Sequence, residues 1–413
     1  MNTVLSGEEF KEQYVTEFYK ILKGGCVHNG YEFVNGLNVD SIKFNPKGEC
    51  SAGGFYFTER NKIGHWLNYT KNLKYITKVT IPDDAQVYIE ENKFKTDKFI
   101  IGFTDMMTIE DCDCWTDNEF CKLAVQQNGY SLRHVKEQTE EICKLVVQQN
   151  GDALEYVTVQ TEEICKLAVQ QNARALQYVT IQTDEICKLA IQQTGYALQY
   201  VTVQNDDLCK LAVRQCGLAL EYVTVQTEEI CKLAVQQNGY ALQYVINQIY
   251  ELCKLAVKRY GCALRYVNVQ TDELCKLAVQ QDGYALEYVI DQTEEICKLA
   301  VIQNGTILEY VTVRTEEICK LAVKQNGNAL QYVTVQTEEI CKLAVQRQGY
   351  ALRYVADQTL EICKLAVKQD GNALEYVKEQ TEEICKLAVQ RDGYALQFVN
   401  DEVLRIKLQN DMS

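Results

Sequence analysis

A 22-residue period dominates this chain: from Asp117 to Glu402 the unit TEEICKLAVQQNGYALQYVTVQ recurs thirteen times without a gap. A period of this length excludes ordinary globular topologies, because each unit must meet the same surroundings as the next and packs chiefly on its neighbours. Position 1 of the unit is Thr in ten copies, with Asp117 and Asn205 in two others, and each of these side chains can cap a free helix amide. Ile249 is the exception. Acidic residues at positions 2 and 3 suit the positive end of a helix, and Gly at position 13, replaced only by Ala173, reads as its stop. A first helix is therefore expected over about positions 2 to 11.

The second half of the unit, YALQYV, places Leu at position 16 and Val at 19, an i,i+3 pair on one helical face, and predicts a short second helix. In the first helix, apolar residues at positions 4, 5, 7, 8 and 9 form a stripe too wide for one partner, so neighbouring copies must cover it from both sides. A 22-residue period also suits leucine-rich repeats, but that fold needs position 21 buried. Six copies carry Glu137, Asn247, Asp291, Asp357, Glu379 and Asp401 there. The expected class is mainly α, an α/α solenoid of thirteen 22-residue repeats preceded by a small α+β domain.

The 413 residues include only two prolines, Pro46 and Pro82, which leaves everything after the first quarter free to be helical. Thirteen of the nineteen cysteines, Cys121 through Cys385, fall at position 5 of the repeat, so reduced, packed thiols are expected rather than disulfides or metal ligands. Lys at position 6 recurs in every copy, with acidic residues three and four places before it, and reads as a charge-balanced, solvated face. Gln at position 22, in eleven copies, offers an amide to the turn backbone, and Tyr at position 18, also in eleven, reads as packing between layers. Residues 117–413 carry 29 basic and 40 acidic side chains, a net −11 that disfavours a nucleic-acid partner. No apolar run is long enough to span a membrane and no export signal opens the chain, so a soluble intracellular protein is expected.

The first 110 residues differ in texture. GEEFKEQYVTEFYKILKGG predicts an amphipathic helix with Phe10, Tyr14, Phe18 and Ile21 near one face, and GGFYFTE, KYITKVTIP and AQVYIEE predict strands. The expected organisation is an α+β domain over 1–110, a junction and cap over 111–116, the repeats over 117–402, and a carboxy-terminal cap over 403–413. Cys26, His28, Cys50, His65, Cys112 and Cys114 could supply zinc ligands, but no CxxC pair marks such a site, and no metal or cofactor is expected.

The ICKLAVxxxGxALxYV core resembles a family of helical repeats of unknown function found in bacteria, protists and giant DNA viruses of amoebae. The segments GLNVDSIKFNPKGECSAGGFYFTE and VTIPDDAQVYIEENKFKTDKFIIG are similar to the domain that precedes ankyrin and other repeats in mimivirus relatives. The second resemblance implies a giant-virus protein, of the infected-cell cytoplasm or the virion, and the stacked repeats themselves point to a scaffold for protein–protein interaction rather than an enzyme. GGFYFTERNKIGHWLNY also resembles a segment of NAD-dependent ADP-ribosyltransferases, which implies the alternative that His28 and Tyr56 hold a dinucleotide and Glu90 polarises its ribose, with the repeats positioning the target.

For the scaffold, the candidate binding residues lie where near-identical copies differ. Position 14 carries Tyr130, Arg174, Tyr196, Tyr240, Tyr284, Tyr350 and Tyr394, among smaller side chains in the remaining copies. Positions 10, 12 and 17 also vary, and the four are expected to form one edge opposite the constant Glu and Lys edge. Tyrosine is enriched at interface hot spots, so a protein partner is expected along this edge, and self-association is compatible with it.

Overall fold

The computed structural model describes residues 4–28, 30–47, 51–67 and 73–412, the side chains of 28, 411 and 412 excepted. The chain forms two compact units, Met1–Gln204 and Asn205–Ser413. The first unit opens with short strands: β1 (Val4–Ser6), β2 (Phe18–Lys23), β3 (Val27–His28), β4 (Tyr31–Glu32), β5 (Gly36–Val39), β6 (Phe55–Glu59), β7 (Leu73–Thr80), β8 (Gln86–Ile89), β9 (Phe94–Thr96), β10 (Lys98–Ile101) and β11 (Met107–Thr108). Nine of them form one antiparallel sheet in the order β1-β8-β9-β6-β2-β7-β10-β5, with β11 beside β7. β3 and β4 pair separately as a hairpin.

The long amino-terminal helix expected from the sequence is corrected here. A helix, α1, covers only Gly7–Gln13, held at its start by a reciprocal bond between Ser6 and Glu9. Phe18 and Ile21 lie instead on β2, which pairs with β7 along its length and buries all but its last residue. Aromatic and β-branched residues buried on both faces favour a central strand, and here that outweighs the helical spacing. Phe10 still reaches the core from α1, with ring centroids 4.9 Å from Phe18 and 5.0 Å from Phe94. The segments expected to be strands are found as β6, β7 and β8.

The sheet docks directly on the first repeat. A short helix, α2 (Ile63–Trp66), brings Gly64 so close to Ala124 that a Cβ there would lie 2.7 Å from the Ala124 Cα. Gln127 ties this contact, donating to the Asn61 carbonyl at 2.8 Å and accepting from the His65 N–H at 3.1 Å. Trp115, fully buried, donates its indole N–H to the Ile109 carbonyl at 2.7 Å and covers the start of the first repeat helix, with the Cys121 thiol at 3.3 Å from its carbonyl oxygen.

Within each unit every layer is built alike, as a ten-residue α-helix over positions 2–11, an extended residue at 12, a six-residue helix over 13–18 and a turn. The Thr cap operates as its chemistry dictates, Thr227 Oγ1 accepting the Ile230 N–H at 3.3 Å, whereas Ile249 makes no side-chain cap. The second helix is 3-10, not α. Its bonds close over three residues, as in Ala241 N–H to the Asn238 carbonyl at 2.9 Å and Val245 N–H to the Leu242 carbonyl at 3.1 Å. A 3-10 turn eclipses i and i+3, so Leu242 and Val245 stack on one side and both are buried.

Position 13 is glycine for a reason other than the one expected. Its backbone is not left-handed; it lies against the carbonyl of position 8 in the next layer, where a Cβ on Gly305 would sit 2.2 Å from the Ala322 oxygen. Where positions 11 and 22 both carry glutamine, two amides clamp a pair of layers. Gln303, at position 11, accepts the Gly283 N–H at 2.9 Å and donates to the Val279 and Gln280 carbonyls at 2.8 and 2.9 Å. Gln292, at position 22, donates to the Leu286 and Tyr310 carbonyls at 3.3 and 2.9 Å and accepts from the N–H and hydroxyl of Thr312 at 2.9 and 3.1 Å. Gln127 performs against the sheet the same service that position 11 performs between layers. The second unit closes with a helix over Glu402–Met412 that buries Leu408 and pairs Lys407 with Glu382 at 2.8 Å.

Candidate functional site

In the sheet domain, a cavity of about 590 Å³ is lined by Tyr19, Tyr31, Phe33, Tyr56, Trp66 and Lys93, among others. The Lys93 ammonium sits 4.3 Å from the Tyr56 ring centroid and 3.4 Å from the Glu90 carboxylate. Of the residues that the transferase resemblance would use, Tyr56 borders this cavity, but Glu90 is not on its lining. One Glu90 oxygen faces Lys93 and the other is buried without a hydrogen-bond partner, so no carboxylate is presented to a ribose. The His28 side chain lies outside the described residues. The arrangement lends that alternative no support.

The residues weighed as zinc ligands are dispersed. The Cys26 thiol meets the Met106 sulfur at 3.6 Å, the His65 ring packs edge-on against Trp66, and Cys50 lies outside the described residues. Cys112 and Cys114 pair with each other as a disulfide, the one departure from reduced thiols among the described cysteines. The position 5 thiols are buried, and most face the glutamine that ends the preceding layer, as Cys297 faces Gln292 Oε1 at 3.7 Å. Burial pushes these thiols above the ordinary range, Cys121 to about 11, which keeps them protonated and poor as nucleophiles.

The position 6 lysines pair with carboxylates both within their own helix and across layers. Lys298 meets Glu294 of its own helix at 3.0 Å and Glu317 of the next layer at 2.7 Å. The expected i−3 partner is used in the first layer, where Lys122 meets Glu119 at 3.3 Å as well as Glu141 at 2.9 Å. Many of these lysines therefore serve two carboxylates, whereas Lys254 and Lys364, whose own helices start with Tyr250 and Leu360, pair with Glu273 and Glu383 of the next layer, and positions 2, 3 and 6 together are net negative in most layers.

At position 14, Tyr130, Tyr196, Tyr284 and Tyr350 are between 37% and 45% exposed, Tyr240 is half-buried, and Tyr394 on the last layer is 80% exposed. Arg174 is exposed, its N–H received by the Asn172 side chain. Four of these rings are braced by the following layer. Tyr130 meets Tyr156 edge-on at 5.8 Å, Tyr284 meets Tyr310 at 6.3 Å and Tyr350 meets Tyr376 at 5.9 Å, always position 18 of the following layer. Tyr240 stacks flat on Tyr260 at 5.1 Å, and the Tyr284 hydroxyl accepts from Asn304 at 3.1 Å. Position 12 is thus a partner of position 14 in the preceding layer and also a cap, as where the Asn238 side chain accepts the Tyr240 N–H at 3.0 Å. Positions 10 and 17 are exposed throughout.

Two further features escaped sequence reasoning. The double amide clamp of positions 11 and 22 was only half visible, since Gln at position 11 looks like any polar residue on a solvated face. The apolar residues of the turn are also exposed, Val225 at 73% and Val313 at 69%, and the alternation between positions 20 and 21 was the signal that could have marked them.

A sheet domain capping a stack of near-identical helical layers, with its variable side chains on the surface, defines a helical-repeat protein. The chain belongs to the family described as a domain of unknown function (DUF4116), which matches it in overlapping segments over residues 139–405, each segment about two layers long. It is also 27% identical over 114 residues to the uncharacterized protein R869 of Acanthamoeba polyphaga mimivirus, an alignment covering 27% of this chain and 81% of that protein. Among the described residues no helix is long and apolar enough to cross a membrane.

Proposed function

We propose that this chain is a non-enzymatic scaffold of a giant virus, binding host or viral proteins through the tyrosine-bearing column at position 14, in the infected-cell cytoplasm or the virion. The observation that carries the reading is the state of those rings. Tyr130, Tyr240, Tyr284 and Tyr350 are each held by a neighbouring layer yet leave part of the ring to solvent, so little conformational entropy remains to be lost on contact. Layers whose buried residues are nearly the same differ at this column, with Tyr284, Thr306 and Asn328 in succession, which lets neighbouring layers present different contacts. Variation at position 14 is matched to position 12 across the layer boundary, as in the pairs Asp152 with Asn172 and Asn372 with Asp392. That matching keeps the stack intact while the exposed portions change.

The test is affinity capture from infected-cell lysate with the full chain as bait, read by mass spectrometry. A variant carrying Tyr240→Ala, Tyr284→Ala and Tyr350→Ala is expected to lose proteins that the parent retains, while Lys232→Gln, Lys254→Gln and Lys276→Gln together retain them. Cross-links confined to the lysine edge, or identical capture by the tyrosine variant, would refute the assignment.

A further inference from the structure

The turn that joins each 3-10 helix to the next α-helix carries an exposed aliphatic side chain that folding does not require. In the second unit these are Val225, Ile246, Val269, Ile290, Val313 and Val335, one in each of six consecutive layers and all between 69% and 76% exposed. Scattered apolar residues on a surface need no explanation, but this row is not scattered. Four of the six stand at position 21. Where that position turns polar, at Asn247 and Asp291, the aliphatic residue moves to position 20 as Ile246 and Ile290. Those isoleucines keep the backbone contact that any residue makes there, their N–H groups donating to Gln226 and Gln270 at 3.0 Å, so the side chain is free to be anything. The row stops abruptly at Ala356–Asp357, Lys378–Glu379 and Asn400–Asp401 in the last three layers. A preference that is compensated when lost, and that ends at a definite layer, marks a surface with an occupant.

The chemistry of that occupant follows from the flank. Val313 precedes Glu316 and Glu317 by three and four residues, a span of about 10 to 14 Å at most, so the row runs beside the acidic helix starts. There one lysine serves two carboxylates, as Lys320 serves Glu316 at 3.0 Å and Glu339 of the next layer. The second unit as a whole carries 29 acidic and 22 basic side chains, a net −7. A second copy of the chain would bring acid against acid, which argues against self-pairing on this face. Packed helical layers lie about 8 to 10 Å apart, and seven residues of α-helix rise about 10.5 Å.

We propose that the row Val225 to Val335 is a docking ridge for a basic amphipathic helix of a partner protein. Such a helix sets an aliphatic side chain against each layer at about every seventh residue and directs lysine or arginine to the carboxylates alongside. The ridge is separate from the tyrosine column and stands without it.

The experiment uses the full chain and a fluorescent synthetic helix of about 22 residues, with Leu at every seventh place among Lys and Ala. Anisotropy is expected to show saturable binding that weakens as salt rises. Val225→Ser, Val269→Ser, Val313→Ser and Val335→Ser together are expected to lower the affinity at least tenfold with an unchanged circular dichroism spectrum, because the replaced side chains are exposed. A peptide with Glu in place of Lys is expected not to bind. Equal affinity for the serine variant, or equal binding of the acidic peptide, overturns the proposal. So does self-association of the parent chain that disappears in the serine variant, which would assign the ridge to a second copy. Since the probe is a defined peptide, its failure to bind leaves the tyrosine reading untouched.

Discussion

Gln292 Oε1 accepts the backbone N–H of Thr312 at 2.9 Å, twenty residues further on and one layer along. The same carboxamide donates to a carbonyl in each of the two layers, so one side chain satisfies turn groups that the short 3-10 segment leaves unpaired. Replacing Gln292 with Leu strands those groups and is expected to cost about 2 to 3 kcal/mol. Hydrogen exchange at Thr312, followed by mass spectrometry, is expected to accelerate correspondingly. Unchanged protection there would show that the clamp contributes nothing.

Arg314 is the natural counter-example. It occupies position 22 but turns back on its own layer, donating to the Leu308 and Glu309 carbonyls at 3.0 and 2.9 Å. A guanidinium has no acceptor to offer Thr334. Arg314→Gln is therefore expected to stabilise the chain by about 1 kcal/mol, seen as a raised thermal midpoint and slower exchange at Thr334. A lower midpoint would contradict the account.

Gly305→Ala places a methyl group within 2.2 Å of the Ala322 carbonyl oxygen and forces the two layers apart. The expected loss is about 1 to 3 kcal/mol, measured by urea denaturation. Ala173 shows that one junction accommodates a methyl at this position, so Ala173→Gly is expected to change stability far less.

Alkaline pH is expected to destabilise the layers. Burial raises the position 5 thiols, Cys121 to about 11, and the Tyr156 phenol is raised by burial as well. Below about pH 9 these thiols are protonated in both folded and unfolded chains, and the stability they allow is fully present. Above it the unfolded chain releases protons that the folded chain retains, so stability falls as pH climbs toward 11. Thermal melts from neutral to alkaline pH test this, and Cys231→Ala should lessen the slope at a modest cost in packing. A midpoint that stays level through this range would sink the argument.

How far the fold can be read from the chain depends on the element. The first helix of each layer was legible because Thr at its start, paired acids and Lys at position 6 each report on local backbone and charge. The second was legible only as a helix, since Leu242 and Val245 at i and i+3 suit an α turn and a 3-10 turn equally. Gly305 was read as a helix stop because a lone sequence shows a missing side chain but not the carbonyl of another layer that excludes it. The amino-terminal helix was overextended because Phe10, Tyr14, Phe18 and Ile21 fit helical spacing, while the pairing of β2 with β7 is a long-range fact. Among the candidate binding residues, position 14 was visible as variation. Its attachment to positions 12 and 18 of the next layer was not, because that contact depends on how layers stack.

The cross-layer contacts also bear on how such a gene changes length. Gln303, Gln292, Lys298 and Gly305 each meet a residue that recurs at the same place in the neighbouring unit. Apart from the pairing of position 14 with position 12, one layer of this construction can therefore sit beside another in most combinations. Unequal recombination that adds or deletes a whole number of units leaves every junction chemically familiar, whereas a deletion out of step with the period breaks both clamps at once. Selection can thus vary the number of exposed variable positions without having to redesign the fold that carries them.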